Sequence, residues 1–184
     1  MGGPANALVD ARAATLAAAF RDIEATRMRG VPILNPRLQV QAVGFEPDRD
    51  DPGLALGVLV TPWFINLVRL PMAAAGESAL GAVGEARTRS AGAMRAEFIG
   101  AHEPAVGRFE ACSLFSPVLE FADQAAALAT ADEVLRLLRE PPPADLPAAR
   151  RSAPQAPALP AQQAATVPDR RAFLFGRRAP VPGA

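Results

Sequence analysis

The chain has 184 residues, half of them apolar and 21% charged, which suits one packed domain with extensions. Its 19 basic residues are all arginine and are matched by 19 Asp plus Glu, so no basic surplus points to nucleic acid. One cysteine, Cys112, and one histidine, His102, exclude an intrachain disulfide and any Cys-only metal site, and no stretch approaches a membrane span.

Read in chain order, Asn6 is a candidate cap for a helix to about Arg29, with Leu8, Leu16, Phe20 and Ile23 near helical spacing. Gly30 and Pro32 stop it. Alternating apolar residues then predict strands over Arg37 to Phe45 and Leu54 to Val60, joined as a hairpin through EPDRDDPG. Pro62 and Pro71 bound a third extended segment, Trp63 to Leu70. Further strands are expected near Glu85 to Ser90, Met94 to Ile99 and Arg108 to Phe115, with Gly100 to Gly107 as a turn. Asp123 caps a second helix to about Arg139, with Ala125, Leu128, Leu135 and Leu138 as its apolar stripe.

These elements predict an α+β domain over residues 1–140: an antiparallel meander of five to six strands flanked by an N-terminal and a C-terminal helix. Residues 141–168 are rich in Pro and Ala and poor in large apolar side chains, the composition of a disordered linker. Residues 169–184 carry a tail motif, RRAFLFGRR at 170–178.

Candidate functional residues fall in three stretches. In TPWFINL, strict alternation sends Trp63, Ile65 and Leu67 one way and Phe64, Asn66 and Val68 the other, so at least one ring belongs to the core; the other is a candidate anchor for a partner. In FEACSLFSP, alternation puts Phe109, Ala111, Ser113 and Phe115 on one face, and Arg108, Glu110, Cys112 and Leu114 on the other. A nucleophilic Cys112 needs a base or cation beside it, and His102 lies at the far end of that hairpin, so a half-buried structural thiol is the simpler reading. His102 and Glu103 in a turn, and Asp50 and Asp51 in another, read as solvated groups. GAVG, residues 81–84, lacks the Lys-Ser/Thr of a phosphate loop. No complete catalytic set, metal site or cofactor motif is found.

The third stretch is the tail. Arg170-Arg171-Ala172-Phe173-Leu174 has the look of a twin-arginine export core, but no long apolar segment follows and the stretch stands near the wrong end of the chain. It reads instead as a docking or interaction motif built on Arg171, Phe173, Leu174 and Phe175.

Taken together, TPWF with Leu70-Pro71, GRFEACSLFSP (107–117) before a helix, and the terminal RAFLFGRR resemble the nickel-iron hydrogenase assembly chaperones of the HybE/HupJ type. The resemblance covers most of residues 6–140 plus the tail. It implies a non-enzymatic cytoplasmic accessory protein that binds hydrogenase subunit precursors, favouring the small subunit with its twin-arginine signal, with the large-subunit precursor as a second contact. With the charge balance and the absence of a long apolar stretch, no cofactor, no nucleic acid and no stable membrane insertion are expected. The Pro/Ala-rich insert departs from the compact family pattern, and the single cysteine excludes the rubredoxin domain that some such relatives carry. An extended client would be received at a sheet edge or in a groove lined by Trp63, Phe64, Leu114 and Phe115, with Glu85, Glu97, Glu110 or Glu120 pairing its arginines. Two other readings stay open: a thiol-dependent redox or metal-cluster enzyme using Cys112, and a general peptide-binding adaptor.

Overall fold

The structure is a computed structural model that describes residues 4–92 and 94–140. In chain order it contains helix α1 (Pro4–Ala25), strands β1 (Gln41–Pro47), β2 (Leu54–Val60) and β3 (Ile65–Pro71), a short 3-10 turn (Ala74–Ala79), strands β4 (Ala86–Ala91), β5 (Met94–Glu103) and β6 (Gly107–Phe115), and helix α2 (Gln124–Arg139). The tail motif lies outside the described residues.

All strand pairings are antiparallel, and their order is β1-β2-β3-β6-β5-β4. The chain therefore builds two three-stranded meanders and zips them together along β3 and β6, with Leu67 opposite Cys112 and Arg69 opposite Glu110. Alternation makes β3 a two-sided strand. Ile65 and Leu67 enter a cluster with Ala127, Ala131, Leu135 and Leu138 of α2, whereas Val68 and Leu70 join Leu16, Ala17 and Phe20 of α1. The sheet is thus sandwiched between the helices, which is why β2 and β3 read as nearly continuous apolar runs.

The helix boundaries moved for local reasons. Helix α1 already starts at Pro4, a residue suited to a first turn, so Asn6 lies inside it; it ends at Ala25, where Thr26 to Gly30 turn and Gly30 takes a positive φ of 76°. Its buried stripe begins at Val9, not at Leu8, which is 44% exposed. Arg12 ties the helix to the sheet by donating to the carbonyls of Pro71 and Val106, each at 2.8 Å. Helix α2 is capped as expected, Asp123 accepting from the Ala126 N–H at 2.8 Å. Its buried stripe is Ala127, Ala131, Leu135 and Leu138; Ala125 is exposed and Leu128 half-buried. The small alanines let the helix axis approach the sheet closely.

Three strand ends also differ from expectation. β1 starts at Gln41, because residues 35–38 close a turn in which the Leu38 N–H donates to the Asn35 carbonyl. β3 starts at Ile65 and not at Trp63. β5 runs on to Glu103 through residues read as a turn, because Ile99 to Glu103 pair with Ala111 to Gly107 of β6; Gly100 serves close packing, since a Cβ on it would stand 2.1 Å from the Ala82 carbonyl oxygen.

Candidate functional site

Thr61 organises the TPWF stretch. Its hydroxyl accepts from the N–H groups of Trp63 (3.3 Å) and Phe64 (2.9 Å) and donates to the Phe64 carbonyl, closing a turn before β3 begins. The turn cancels strict alternation, so Trp63 and Phe64 fall on the same side. Both rings join Phe20 of α1, with centroids 6.4 and 5.8 Å from it, and Phe109 lies 6.2 Å from Phe20 on the same side. Trp63 is only 8% exposed.

Leu114 and Phe115 sit on the opposite face. The β3-β6 register shifts between Ile65, opposite Phe115, and Asn66, opposite Ser113, and the irregularity turns Phe115 to the α2 side with Leu114. There Phe115 packs edge-on against Phe121 at 5.3 Å. The sheet thus separates the two aromatic sets, and the groove expected from Trp63, Phe64, Leu114 and Phe115 together does not form. Asn66 is half-buried, its Oδ1 buried without a hydrogen-bond partner.

The carboxylates separate equally clearly. Glu110 is fully buried: Oε1 accepts from Arg89 (2.9 Å) and from the Gly81 N–H (2.7 Å), and Oε2 from Arg69 (3.2 Å). Arg69 in turn grips buried Asp48 at 2.8 Å. Burial alone would raise the Glu110 carboxyl, but the hydrogen bonds from Arg89 and Gly81 and the charges of both arginines hold it below the usual carboxylate range. It ties β3, β4 and β6 together and offers nothing to an arriving arginine. Glu85 is exposed and engaged by Arg87 through bonds of 2.7 and 2.9 Å. Glu120 is exposed near the start of α2, away from the sheet's strands. Glu97 is exposed and, among the described residues, has no ion-pair or hydrogen-bond partner.

Cys112 is half-buried, and burial together with the negative charge of Glu97 pushes its thiol above the ordinary range. His102 stands opposite Arg108, four residues along β6 from Cys112, or roughly 13 Å at the rise of a strand. The thiol has neither base nor cation of the kind that activates cysteine, and no group of three metal-ligating side chains occurs among the described residues.

What the geometry adds is a surface the sequence did not single out. Neighbours across β4 and β5 pair Ser90 with Arg95, Thr88 with Glu97 and Ala86 with Ile99, and all six are exposed. Their face is the one that α1 covers elsewhere; the helices pack chiefly on β1, β2 and β3. Along the β4 edge runs an open polar recess of about 450 Å³, bordered by Thr88 and Ser90, by Arg69, Arg89 and Arg95, and by Asp50 and Asp51 from the β1-β2 turn. The legible signal was ARTRSA itself, alternating small polar side chains with arginines.

Among the described residues this is a helix-sheet-helix module whose buried carboxylates are paired with its own arginines and whose outer strands, β4 and β5, are left uncovered on one face. The chain matches the family described as NiFe-hydrogenase assembly, chaperone, HybE over residues 11–176, and it belongs to that family. It is 44% identical over 167 residues to protein HoxT of Cupriavidus necator, covering 87% of this chain and 86% of that one. It is 41% identical over 161 residues to the hydrogenase expression/formation protein HupJ of Bradyrhizobium diazoefficiens, covering 88% and 85%. The solution structure of HybE from Escherichia coli shares the fold, with a TM-score of 0.51 over 92% of this chain and 91% of that one at 22% identity. The resemblance carried by TPWF, GRFEACSLFSP and RAFLFGRR is thereby established, as are the six antiparallel strands between two helices. The protein is a hydrogenase assembly chaperone.

Proposed function

We propose that the client is a hydrogenase subunit precursor, chiefly the small subunit with its twin-arginine signal, held in the cytoplasm until the enzyme is assembled. The supporting observation is Glu97: among the described residues it is an exposed carboxylate without an ion-pair partner, set on an uncovered sheet face one strand in from an edge that carries no further strand. An arginine-bearing segment lying on that face donates a charge-assisted hydrogen bond to Glu97, whereas Glu85 and Glu110 already accept such bonds from the chain's own arginines. Ile99, 49% exposed on the same face, supplies apolar contact.

The large-subunit precursor is the second contact in this reading, and the tail residues Arg171, Phe173, Leu174 and Phe175 compete with the client signal they resemble. Deleting residues 170–184 then raises affinity for a synthetic twin-arginine signal peptide. The direct test is co-purification of the tagged chaperone from cells making hydrogenase. A complex with the small-subunit precursor, lost when the signal's arginines become glutamines, is the expected result; no complex with either subunit sinks the reading. Equal binding of unrelated twin-arginine signals makes the protein a general peptide adaptor instead.

A further inference from the structure

The two edges of the sheet differ in kind. At β1 the edge is blunted: its register with β2 shifts between Val43 and Glu46, Pro47 ends it, and Arg139 donates to the Gly44 carbonyl at 2.9 Å. β4 pairs with β5 through six consecutive residues without a shift, contains no proline, and has no strand on its other side among the described residues. Alternate residues of such an edge turn their N–H and C=O groups outward, and those groups are completed by an extended chain.

We propose that β4 receives an extended segment of the client as an added strand, antiparallel to β4, with one arginine facing Glu97 and a large apolar residue facing Ile99. This rests on the reading of the client given above and specifies how it is held. The face behind the edge fixes the register. Going along an added antiparallel strand, alternate side chains lie beside Ser90, then Thr88, then Ala86, and behind these small residues stand Arg95, Glu97 and Ile99. The added strand lies two strand spacings from β5, roughly 10 Å, which an arginine and a glutamate side chain together span across Thr88. The matching pattern is a hydroxyl or acidic residue, any residue, arginine, any residue, large apolar residue.

A second arginine immediately before the first stands opposite Arg89, whose guanidinium is already held by Glu110 and the Ala79 carbonyl, and the recess that runs along this edge presents Asp50 and Asp51 to it. Consecutive arginines followed two positions later by a large apolar residue therefore fit one on each face. A parallel strand reverses the order and puts the apolar residue beside Arg95. The chain's own Asp169, Arg171 and Phe173 follow the client pattern in sequence.

The test uses the full chain and a synthetic peptide reading Ser-Arg-Arg-Ala-Phe-Leu. Amide exchange followed by NMR should show β4 amides slowed at least tenfold by the peptide. Glu97→Arg should weaken the peptide about tenfold, and exchanging the peptide's second arginine for glutamate should restore binding to that variant. Methylating alternate peptide-bond nitrogens on the side facing β4 should abolish it. Binding that leaves β4 exchange unchanged overturns strand addition but not the identity of the client; absence of binding overturns both. Failure of the charge exchange overturns the register. Slow β4 exchange before peptide is added assigns the edge to another occupant, a second copy if the protein sediments as a dimer and the chain's own tail if it does not.

Discussion

At the scale of single residues, Glu110 shows how a sequence can name a position and miss its task. The alternation in GRFEACSLFSP correctly set Glu110 on the same face as Cys112, and an acidic residue in a strand reads as a candidate contact for a basic client. Three-dimensional neighbours decided otherwise, because Arg69 is brought from β3 and Arg89 from β4, and neither pairing is visible as spacing. Glu110→Ala leaves two guanidiniums facing an empty, buried space and should cost about 3 kcal/mol in urea denaturation. Its folded carboxyl lies below the usual range, so its contribution to stability is complete above the unfolded value near ~4.3 and disappears as pH falls through the folded one. Acid denaturation should accordingly lose part of its pH dependence in Glu110→Gln, and an unchanged slope below pH ~4 would show that the carboxylate is not held in this way. Cys112 is the converse case: with its thiol pushed up by burial and by Glu97, alkylation by iodoacetamide should be slow at neutral pH and accelerate only above the usual ~8.5, while Cys112→Ser keeps client binding. Rapid alkylation at neutral pH would reopen the thiol-enzyme reading.

At the scale of elements, glycines allow approaches that no residue with a side chain could make. Gly57 of β2 lies against Phe45, where an added Cβ would come within 2.4 Å of the ring. Gly92, in the turn between β4 and β5, adopts a φ of +57°, and its Cβ would fall 1.7 Å from the Leu138 carbonyl oxygen. The last turn of α2 is thus seated on the hairpin that carries the open edge. Gly92→Ala combines an unfavourable backbone conformation with a contact against backbone that has no rotamer to yield, and should lower stability by about 2 kcal/mol or more. Asp123→Ala, at the opposite end of the same helix, removes only a cap and should cost about 1 kcal/mol. Urea midpoints compare the two, and an equal or reversed order would place the helix's main anchorage at its N-terminus. Helix α2 itself was legible from Asp123, the leucines and Pro141. The C-terminal half of its buried face, Leu135 and Leu138, was legible as well; the N-terminal half was not, because Ala127 and Ala131, which take the places expected of Ala125 and Leu128, carry a weak hydropathy signal and contribute by letting the sheet come near.

At the scale of the whole molecule, element type was readable and strand order was not. Alternation and turn residues mark six strands, yet the join of the two meanders at β3 and β6 depends on side chains meeting over more than forty positions, as Arg69 and Glu110 do. That join places β2, β3 and β6 inside the sheet and leaves β4 outside, so stability should be distributed in the same way. β2 and β3 are buried almost throughout and face helices on both sides, whereas β4 alternates exposed and half-buried residues and ends a hairpin. Local opening of β4 then exposes little apolar surface, and its amides should exchange through small fluctuations while those of β2 and β3 require global unfolding. Native-state hydrogen exchange in low urea reads this directly: β2 and β3 amides should follow the global denaturant dependence, and β4 amides should be nearly independent of it. Equal dependence in all the strands would mean that the outer hairpin is as firmly integrated as the centre, and that no part of the sheet is held open more readily than the rest. The chaperone's fold argues for the uneven result, since the helices cover β1, β2 and β3 and spend the sheet's apolar surface there, leaving a polar, arginine-rich strand at the far edge.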